Sequence, residues 1–327
     1  MNMNLSEHPW TNIQAVSSGK YARLRVNVES QYTLFWFRDD ANHPGLLVEI
    51  SQNITIAELK KAKINIRDIE VDVMEFSDER IRALVIKLED QSKLDIFSKL
   101  CLDLVERVIT SESSEANFHL VCNRLKRWQA LFSVQSNSLL SANEIQGLYA
   151  ELRFIGEKLS SHPELEDALI QGWEGTQLNQ HDFVIGDTVI EIKSITGRDR
   201  AKVRISSEDQ LNTHMSHLFL KVYLLTRASD SESGESLNQI IKRVNSLIVS
   251  AENRDLLEKK LRSARYIDIS DYDLPLFEVN DSATYQVTED FPKIIRENLP
   301  EGIEHVSYDL VLARIDQFKV NEVELGV

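Results

Sequence analysis

One short stretch near the middle of the chain places charged side chains among apolar, β-branched ones. Asp182 precedes the first apolar run, Gly186-Asp187 separates the two runs, and Glu191 and Lys193 lie in the second. A Gly-Asp pair between such runs predicts a two-residue hairpin turn, which brings Asp182 opposite Glu191. Cβ atoms of opposed residues lie about 4.5–5.5 Å apart, and Lys193 shares a face with Glu191 because side chains alternate along a strand. The sequence therefore predicts two acids and a base on one patch.

Two opposed carboxylates need a neutralising partner, because like charges directly opposite each other destabilise a sheet. A divalent cation between the carboxylates would remove the repulsion, and magnesium prefers oxygen ligands. An edge-strand ion pair between Lys193 and one of the acids is the alternative. Both interpretations are open for these residues.

The Glu-x-Lys tripeptide carries little information by itself. It occurs twice more, at Glu58-Leu59-Lys60 and Glu258-Lys259-Lys260, and both copies lie in segments with helical patterns. Only the central copy has an aspartate in cross-strand register. The pairing with that aspartate is therefore what favours a metal site.

A predicted helix upstream of the hairpin carries a third acid, Glu151. Ser141 and Glu144 have the spacing of a capping box, and apolar residues at helical spacing continue to about Leu159. Glu151 lies at the edge of this apolar stripe, from which its side chain can point along the core. A surface position is the alternative, because exposed glutamates are common.

The strongest concentration of positive charge follows the hairpin directly. Between residues 193 and 204 a single acid, Asp199, accompanies the bases Lys193, Arg198, Arg200, Lys202 and Arg204. If a strand begins near Arg200, the last three bases share one face while Val203 and Ile205 enter the core. Phosphate contact and a solvated loop are both open for this segment. A helix is predicted next, from residue 206 or 207 to 214, because Ser207 and Gln210 have capping-box spacing.

The composition indicates a globular protein with ordinary cores. The chain has 327 residues, 42% of them hydrophobic, and a formal net charge of −15, which argues against nonspecific coating of nucleic acid. No apolar run approaches the ~20 residues of a membrane span, and the first ten residues lack signal-peptide features. We therefore expect a cytoplasmic protein without membrane contact. Cys101 and Cys122 are expected to be buried free thiols.

The patterns divide the chain into three predicted parts, which are an N-terminal α+β domain (1–135), a core with the hairpin (140–227) and a C-terminal α+β region (235–327). In the first part we predict strands at 21–28, 32–37, 46–50, 64–74 and 81–88, and helices at 94–110 and 117–132. In the core, short helix 163–171 precedes the hairpin, strand 202–205 follows it, and the apolar run 218–225 is typical of a strand covered on both faces. In the last part we predict helix 237–262, strands 266–269, 276–279, 285–287 and 305–312, and a helix near 293–298.

This order of helix, three strands, helix and strand, with Glu151, Asp182 and Glu191-Ile192-Lys193, resembles the PD-(D/E)XK nuclease superfamily. The run from Asp182 through Ser194, with residues 205–211, is similar to the DUF4420-type PD-(D/E)XK motif proteins, and that similarity covers most of the chain. His181 stands where the strict motif has proline. The resemblance implies an α/β, restriction-endonuclease-like α-β-β-β-α-β core inside a chain that is mixed α+β overall.

The resemblance also implies roles for the site residues. Asp182 and Glu191, with the main-chain carbonyl of Ile192, would hold Mg²⁺, for which Mn²⁺ can substitute, and Lys193 would orient or deprotonate the attacking water. Glu151 would support a second metal. Relatives often carry a glutamine near the active site, so a DNA contact by Gln210 is open beside its capping role. The basic side chains that would contact DNA are those of Arg198, Arg200, Lys202 and Arg204.

The implied function is a magnesium-dependent DNA endonuclease of bacterial restriction or anti-phage defence. The implied partners are DNA, a methyltransferase or ATPase subunit, and a second copy of the chain in a homodimer. The alternative is a noncatalytic DNA- or protein-binding subunit that keeps the nuclease fold, and the net charge of −15 favours it.

Overall fold

A computed structural model of the protein describes residues 9–14, 21–28, 30, 32–62, 64–76, 81–133, 139–175, 181–196, 202–230 and 233–321. The chain forms two compact units, Met1–Leu139 and Leu140–Val327. None of the helices in the described residues is long and apolar enough to cross a membrane.

The first unit contains an antiparallel five-stranded sheet in the order β1-β2-β3-β5-β4. Its strands are β1 (Ala22–Arg25), β2 (Leu34–Arg38), β3 (Pro44–Ile50), β4 (Ile69–Phe76) and β5 (Ile81–Leu88), and its helices are α1 (Ile56–Ala62), α2 (Leu94–Val108) and α3 (Ser114–Ser133). The two long helices were predicted from apolar spacing, and both are confirmed. Strand β4 begins later than the predicted residue 64 because Asp68, at φ 64°, turns the chain just before it.

Buried polar groups join α2 to α3 inside this unit. Arg124 Nε lies 2.6 Å from Asp103 Oδ2, and the indole N–H of Trp128 donates to the same carboxylate at 2.8 Å. Cys101 and Cys122 are buried free thiols, as predicted.

The second unit contains a mixed five-stranded sheet in the order β12-β10-β9-β7-β6. The strands of this sheet are β6 (Phe183–Ile185), β7 (Thr188–Thr196), β9 (His217–Ala228), β10 (Leu276–Gln286) and β12 (Lys319–Val320). The unit also contains the strands β8 (Lys202–Ile205) and β11 (Tyr308–Val311), and the helices α4 (Ala142–Ser161), α5 (Glu166–Gly172), α6 (Leu237–Leu247) and α7 (Ala251–Ser263). Strand β9 is parallel to β7 and antiparallel to β10. The predicted apolar run is thus a central strand, and the predicted mixed α+β fold is confirmed.

The C-terminal residues add strands to the sheet that contains the hairpin. Strand β10 pairs with β9 from Leu276 to Gln286, with an irregularity between Val279 and Asp281. The two short strands predicted there are therefore one continuous strand. The predicted separation of residues 140–227 from 235–327 stays a prediction.

The predicted helix from residue 206 or 207 to 214 is wrong. The chain makes a turn at residues 208–211 instead. Gln210 Oε1 accepts the Ser206 amide at 2.8 Å, and Glu208 Oε2 accepts the Val306 amide at 2.8 Å. The polar groups of Ser206, Glu208 and Gln210 therefore form hydrogen bonds with a side chain or with a distant segment, and not the helix-capping bonds that the local pattern predicts.

Three further predictions in the last region need correction. The predicted helix 237–262 is two helices, because Glu166 accepts the amides of Val249 and Ser250 and holds an extended break between α6 and α7. Residues 266–269 form no strand, and a 3₁₀ turn, Arg296–Asn298, replaces the helix predicted near 293–298. In the core, the predicted strand 202–205 is β8, and it pairs with β11 in a two-stranded sheet separate from the five-stranded sheet.

Candidate active site

The β6–β7 hairpin has the register that its sequence predicts. Ile185 pairs with Thr188, and Gly186 adopts φ 58°, as a tight hairpin turn requires. The last ladder pair is Phe183 with Ile190. Asp182, which directly precedes β6, and Glu191, on β7, are the next residues outward, so they lie opposite each other.

Asp182 is fixed by both its side chain and its backbone. Its Oδ2 accepts the Ile192 amide at 2.6 Å, and its carbonyl accepts the amides of Glu174 at 2.7 Å and Gly175 at 3.0 Å. Burial raises the pKa of the Asp182 carboxyl to about 6, although the Ile192 amide and Lys193 oppose this. The carboxylate is thus held in place in surroundings that disfavour its charge.

Glu191 is the most deeply buried acid of the hairpin, with 1% of its surface exposed. Its Oε1 lies 2.7 Å from Lys193 Nζ, whereas its Oε2 is buried without a hydrogen-bond partner among the described residues. Burial and then Asp182 raise the pKa of Glu191 to about 8, against the opposing effect of Lys193. An orphaned buried carboxylate oxygen is costly unless something binds it.

Lys193 lies between Glu191 and a glutamine. Its Nζ donates to Gln210 Oε1 at 3.1 Å, and the same oxygen accepts the Ser206 amide. The ion-pair alternative is therefore part of the arrangement, since Lys193 pairs with Glu191. Among the described residues, that pair leaves the second oxygen of Glu191 without a hydrogen-bond partner.

Glu151, on α4, lies beside Asp182. A Cβ atom on Gly175 would be 2.6 Å from Glu151 Oε2 and 2.9 Å from Asp182 Oδ1, so both carboxylates lie too close to this glycine for a larger residue to fit. The Trp173 indole N–H donates to Glu151 Oε2 at 2.6 Å. Burial, then Asp182 and then Glu191 raise the pKa of Glu151 well above its usual value, although Trp173 and Lys193 lower it.

Sequence reasoning missed Trp173 and Gly175, because neither residue type suggests metal or phosphate chemistry. The signal that could have found them is the run Gly172-Trp173-Glu174-Gly175, which lies between the helices and the hairpin. Small residues at such a junction permit close approach of the backbone to a site.

Two of the predicted DNA-contacting residues, Lys202 and Arg204, lie on a different sheet from the hairpin acids. On β8, Lys202 and Arg204 are exposed while Val203 and Ile205 are buried, which is the predicted alternation. Arg204 Nη1 lies 3.3 Å from Asp309 Oδ1 on β11, and its Nη2 donates to Ser307 Oγ at 2.5 Å. Arg198 and Arg200 lie outside the described residues.

The donor set of the hairpin fits a magnesium ion that keeps most of its waters. No group of three His, Cys, Asp or Glu side chains in the described part of the chain is arranged to enclose a metal. Magnesium, however, commonly binds through one or two carboxylates and retains several waters. Asp182 and Glu191 would supply those carboxylates, and the Ile192 carbonyl is the predicted third donor.

Comparison with protein families agrees with this geometry. Residues 6–313 match the family model described as "Putative PD-(D/E)XK family member, (DUF4420)". The chain belongs to this family. Membership of DUF4420 indicates a nuclease, and PD-(D/E)XK nucleases generally use divalent metal ions. The chain matches none of the curated proteins and none of the solved structures with which it was compared.

The close approach at Gly175 gives a first prediction. Gly175→Ala should reduce nuclease activity about 10–100-fold, because the added methyl group displaces Glu151 and Asp182. Plasmid cleavage measures the activity, and circular dichroism checks the fold. Gly147→Ala is the matched control on α4, where a Cβ has nothing within 4 Å. The control should keep its activity and gain about 0.5–1 kcal/mol of stability. Equal activity of both variants would contradict the assignment of Gly175 to the site.

Proposed function

We propose that this DUF4420 protein is a magnesium-dependent DNA endonuclease. The observation that carries the proposal is the buried Glu191 carboxylate opposite Asp182: its Oε1 pairs with Lys193, and its Oε2 has no hydrogen-bond partner among the described residues. Family membership supports the nuclease class. DNA as the substrate and magnesium as the metal are the finer parts of the proposal.

The acids would hold the cation and thereby lose their mutual repulsion. Asp182 and Glu191 would bind it with the Ile192 carbonyl, while the Ile192 amide keeps Asp182 oriented. When bound, the cation supplies charge neutralisation at the scissile phosphate and lowers the pKa of a water. Glu151 would take a second cation or act through water.

Lys193 would provide the positive charge nearest to the reacting phosphate. Its ammonium, fixed by Glu191 and Gln210, can orient the attacking water and stabilise the negative charge that develops on phosphate. The water oxygen forms a bond to phosphorus, the bond from phosphorus to the 3′ oxygen breaks, and that oxygen takes a proton. The products are a 5′-phosphate and a 3′-hydroxyl.

The charge distribution supports a proposal about the substrate and partners. Lys202 is exposed on β8, and we propose that it contacts the DNA backbone together with Arg204 and with Arg198 and Arg200. The net charge of −15 opposes unassisted DNA binding. We therefore propose that a second copy of the chain, or a methyltransferase or ATPase subunit, assists DNA binding. The family carries the further proposal of a role in bacterial restriction or anti-phage defence, in the cytoplasm.

A noncatalytic binding subunit is the second candidate. The acidic net charge and the Lys193–Glu191 ion pair favour it, because a pair of this kind can be purely structural. The orphaned Glu191 oxygen opposes it, since a structural pair gains nothing from leaving that atom unsatisfied.

Plasmid cleavage tests the proposal directly. We expect the purified protein to nick or cut supercoiled DNA with Mg²⁺ or Mn²⁺, and to lose this activity in EDTA. Asp182→Ala should lower the rate about 10²–10³-fold, because it removes a cation ligand and the acceptor of the Ile192 amide. Cleavage by Asp182→Ala at the parental rate would refute the assignment. Metal-independent cleavage would refute the cation's role.

A further inference from the structure

Lys260 is a buried lysine whose hydrogen-bond partners are main-chain carbonyls. It lies on α7 with 4% of its surface exposed, and its ammonium donates to the Gln171 carbonyl at 2.8 Å and to the Trp173 carbonyl. No described carboxylate lies within ion-pair distance of it, and Glu174 is the acid whose charge favours the ammonium. Burying an ammonium costs several kcal/mol unless hydrogen bonds compensate. The two carbonyls that accept its hydrogen bonds must therefore stay in place around it.

The ammonium holds the end of α5 and the segment that follows it. Gln171 and Trp173 supply carbonyls at the point where α5 ends at Gly172, and a cation at a helix C-terminus interacts favourably with the unpaired carbonyls. The two residues after Trp173 donate their amides to the Asp182 carbonyl. Lys260 therefore ties one end of a segment whose other end lies on the hairpin.

The side chain of Trp173 connects the residue held by Lys260 to Glu151. The indole is fully buried, and its N–H donates to Glu151 Oε2. Moving the Trp173 backbone would move that donor, and Glu151 would lose its hydrogen bond. A chain of two hydrogen bonds thus runs from Lys260 through Trp173 to Glu151.

We propose that Lys260 is a positioning residue of the candidate active site, acting through Trp173 on Glu151. The proposal rests on the function proposed above and deepens it, because it makes α7 part of the catalytic architecture. The Glu258-Lys259-Lys260 copy of the tripeptide then has a role of its own, through its last residue. The ammonium fixes the indole, and the indole fixes the carboxylate that supports the cation site.

Nuclear magnetic resonance of the indole N–H groups tests the connection without DNA. The chain has four tryptophans, and Trp173→Phe assigns the signal by removing it. We expect Lys260→Met to shift the Trp173 signal upfield, because the hydrogen bond to Glu151 weakens. Lys259→Met is the matched control, since Lys259 is the exposed neighbour on the same helix, and it should leave the signal in place. An unshifted signal in a folded Lys260→Met variant overturns the proposal.

Binding of Mn²⁺ alone gives a second readout, measured from the free-ion electron paramagnetic resonance signal. We expect Lys260→Met to weaken Mn²⁺ binding about 10–100-fold and Lys259→Met to leave it unchanged. Should Lys260→Met not fold, Lys260→Arg decides, since a larger cation should still shift the indole signal. An unshifted signal in that variant refutes the connection. Absence of both Mn²⁺ binding and cleavage in the parent protein would refute the proposed function, while the indole signal still decides the role of Lys260.

Discussion

Lys193→Met should reduce plasmid cleavage by about 10²–10⁴-fold while the protein stays folded. Methionine keeps most of the volume but removes the ammonium that pairs with Glu191 and donates to Gln210. Glu191, whose pKa is already raised, can take up a proton and lose its charge, so the folded state tolerates the change. The cleavage rate at saturating Mg²⁺ measures the loss.

Lys60→Met is the matched control for this experiment. Lys60 ends another Glu-x-Lys tripeptide, but it is an exposed residue of α1 in the first unit. Its replacement should leave cleavage unchanged. If the two variants cleave equally well, Lys193 has no part in the chemistry, and the noncatalytic alternative is favoured.

In metal-free buffer, the second unit should lose stability as the pH rises from about 5 to about 9. The pKa of Glu191 is about 8 in the folded protein against a usual 4.5, and that of Asp182 is about 6 against 3.8. A raised folded-state pKa contributes stability that is fully present below the unfolded value. This contribution is lost as the pH rises through the folded value, because the buried groups must then ionise. The shift of Glu191 alone corresponds to a contribution on the order of 5 kcal/mol.

Differential scanning calorimetry in EDTA measures this effect. We expect the melting temperature of the second unit to fall by roughly 5–15 °C across that pH range, and Mg²⁺ to restore much of the loss above pH ~8. Glu191→Gln should flatten the pH dependence, because the variant has no proton to lose at this position. A melting temperature that rises with pH in EDTA would show that the acids are instead stabilised as anions.

The pairing of Asp182 with Glu191 was predictable because its causes are local. The Gly186-Asp187 turn sets the register, and the alternation of strand side chains then places Lys193 beside Glu191. The capping box of Ser141 likewise begins α4 as predicted. Turn type, strand period and helix cap depend on a few neighbouring residues, so the sequence suffices for them.

The turn that carries Gln210 shows where local patterns fail. Its Ser-x-x-Gln spacing predicts a helix start. In the structure, however, Gln210 accepts a hydrogen bond from Lys193, and Glu208 accepts one from the amide of Val306, 98 residues away. Strand β8 likewise pairs with β11, a segment of the C-terminal region. Such long-range partners override local propensity, and no short window of sequence contains them.

The sequence by itself determined the chemistry available on the hairpin, namely two opposed acids and a lysine. Only the tertiary structure decided the surroundings of those groups: the burial that raises the pKa of Glu191, the indole that binds Glu151, and the lysine of α7 that holds Trp173. The reason is physical. Residue types and turn geometry are local properties, whereas desolvation and hydrogen bonds between distant segments exist only once the chain has packed.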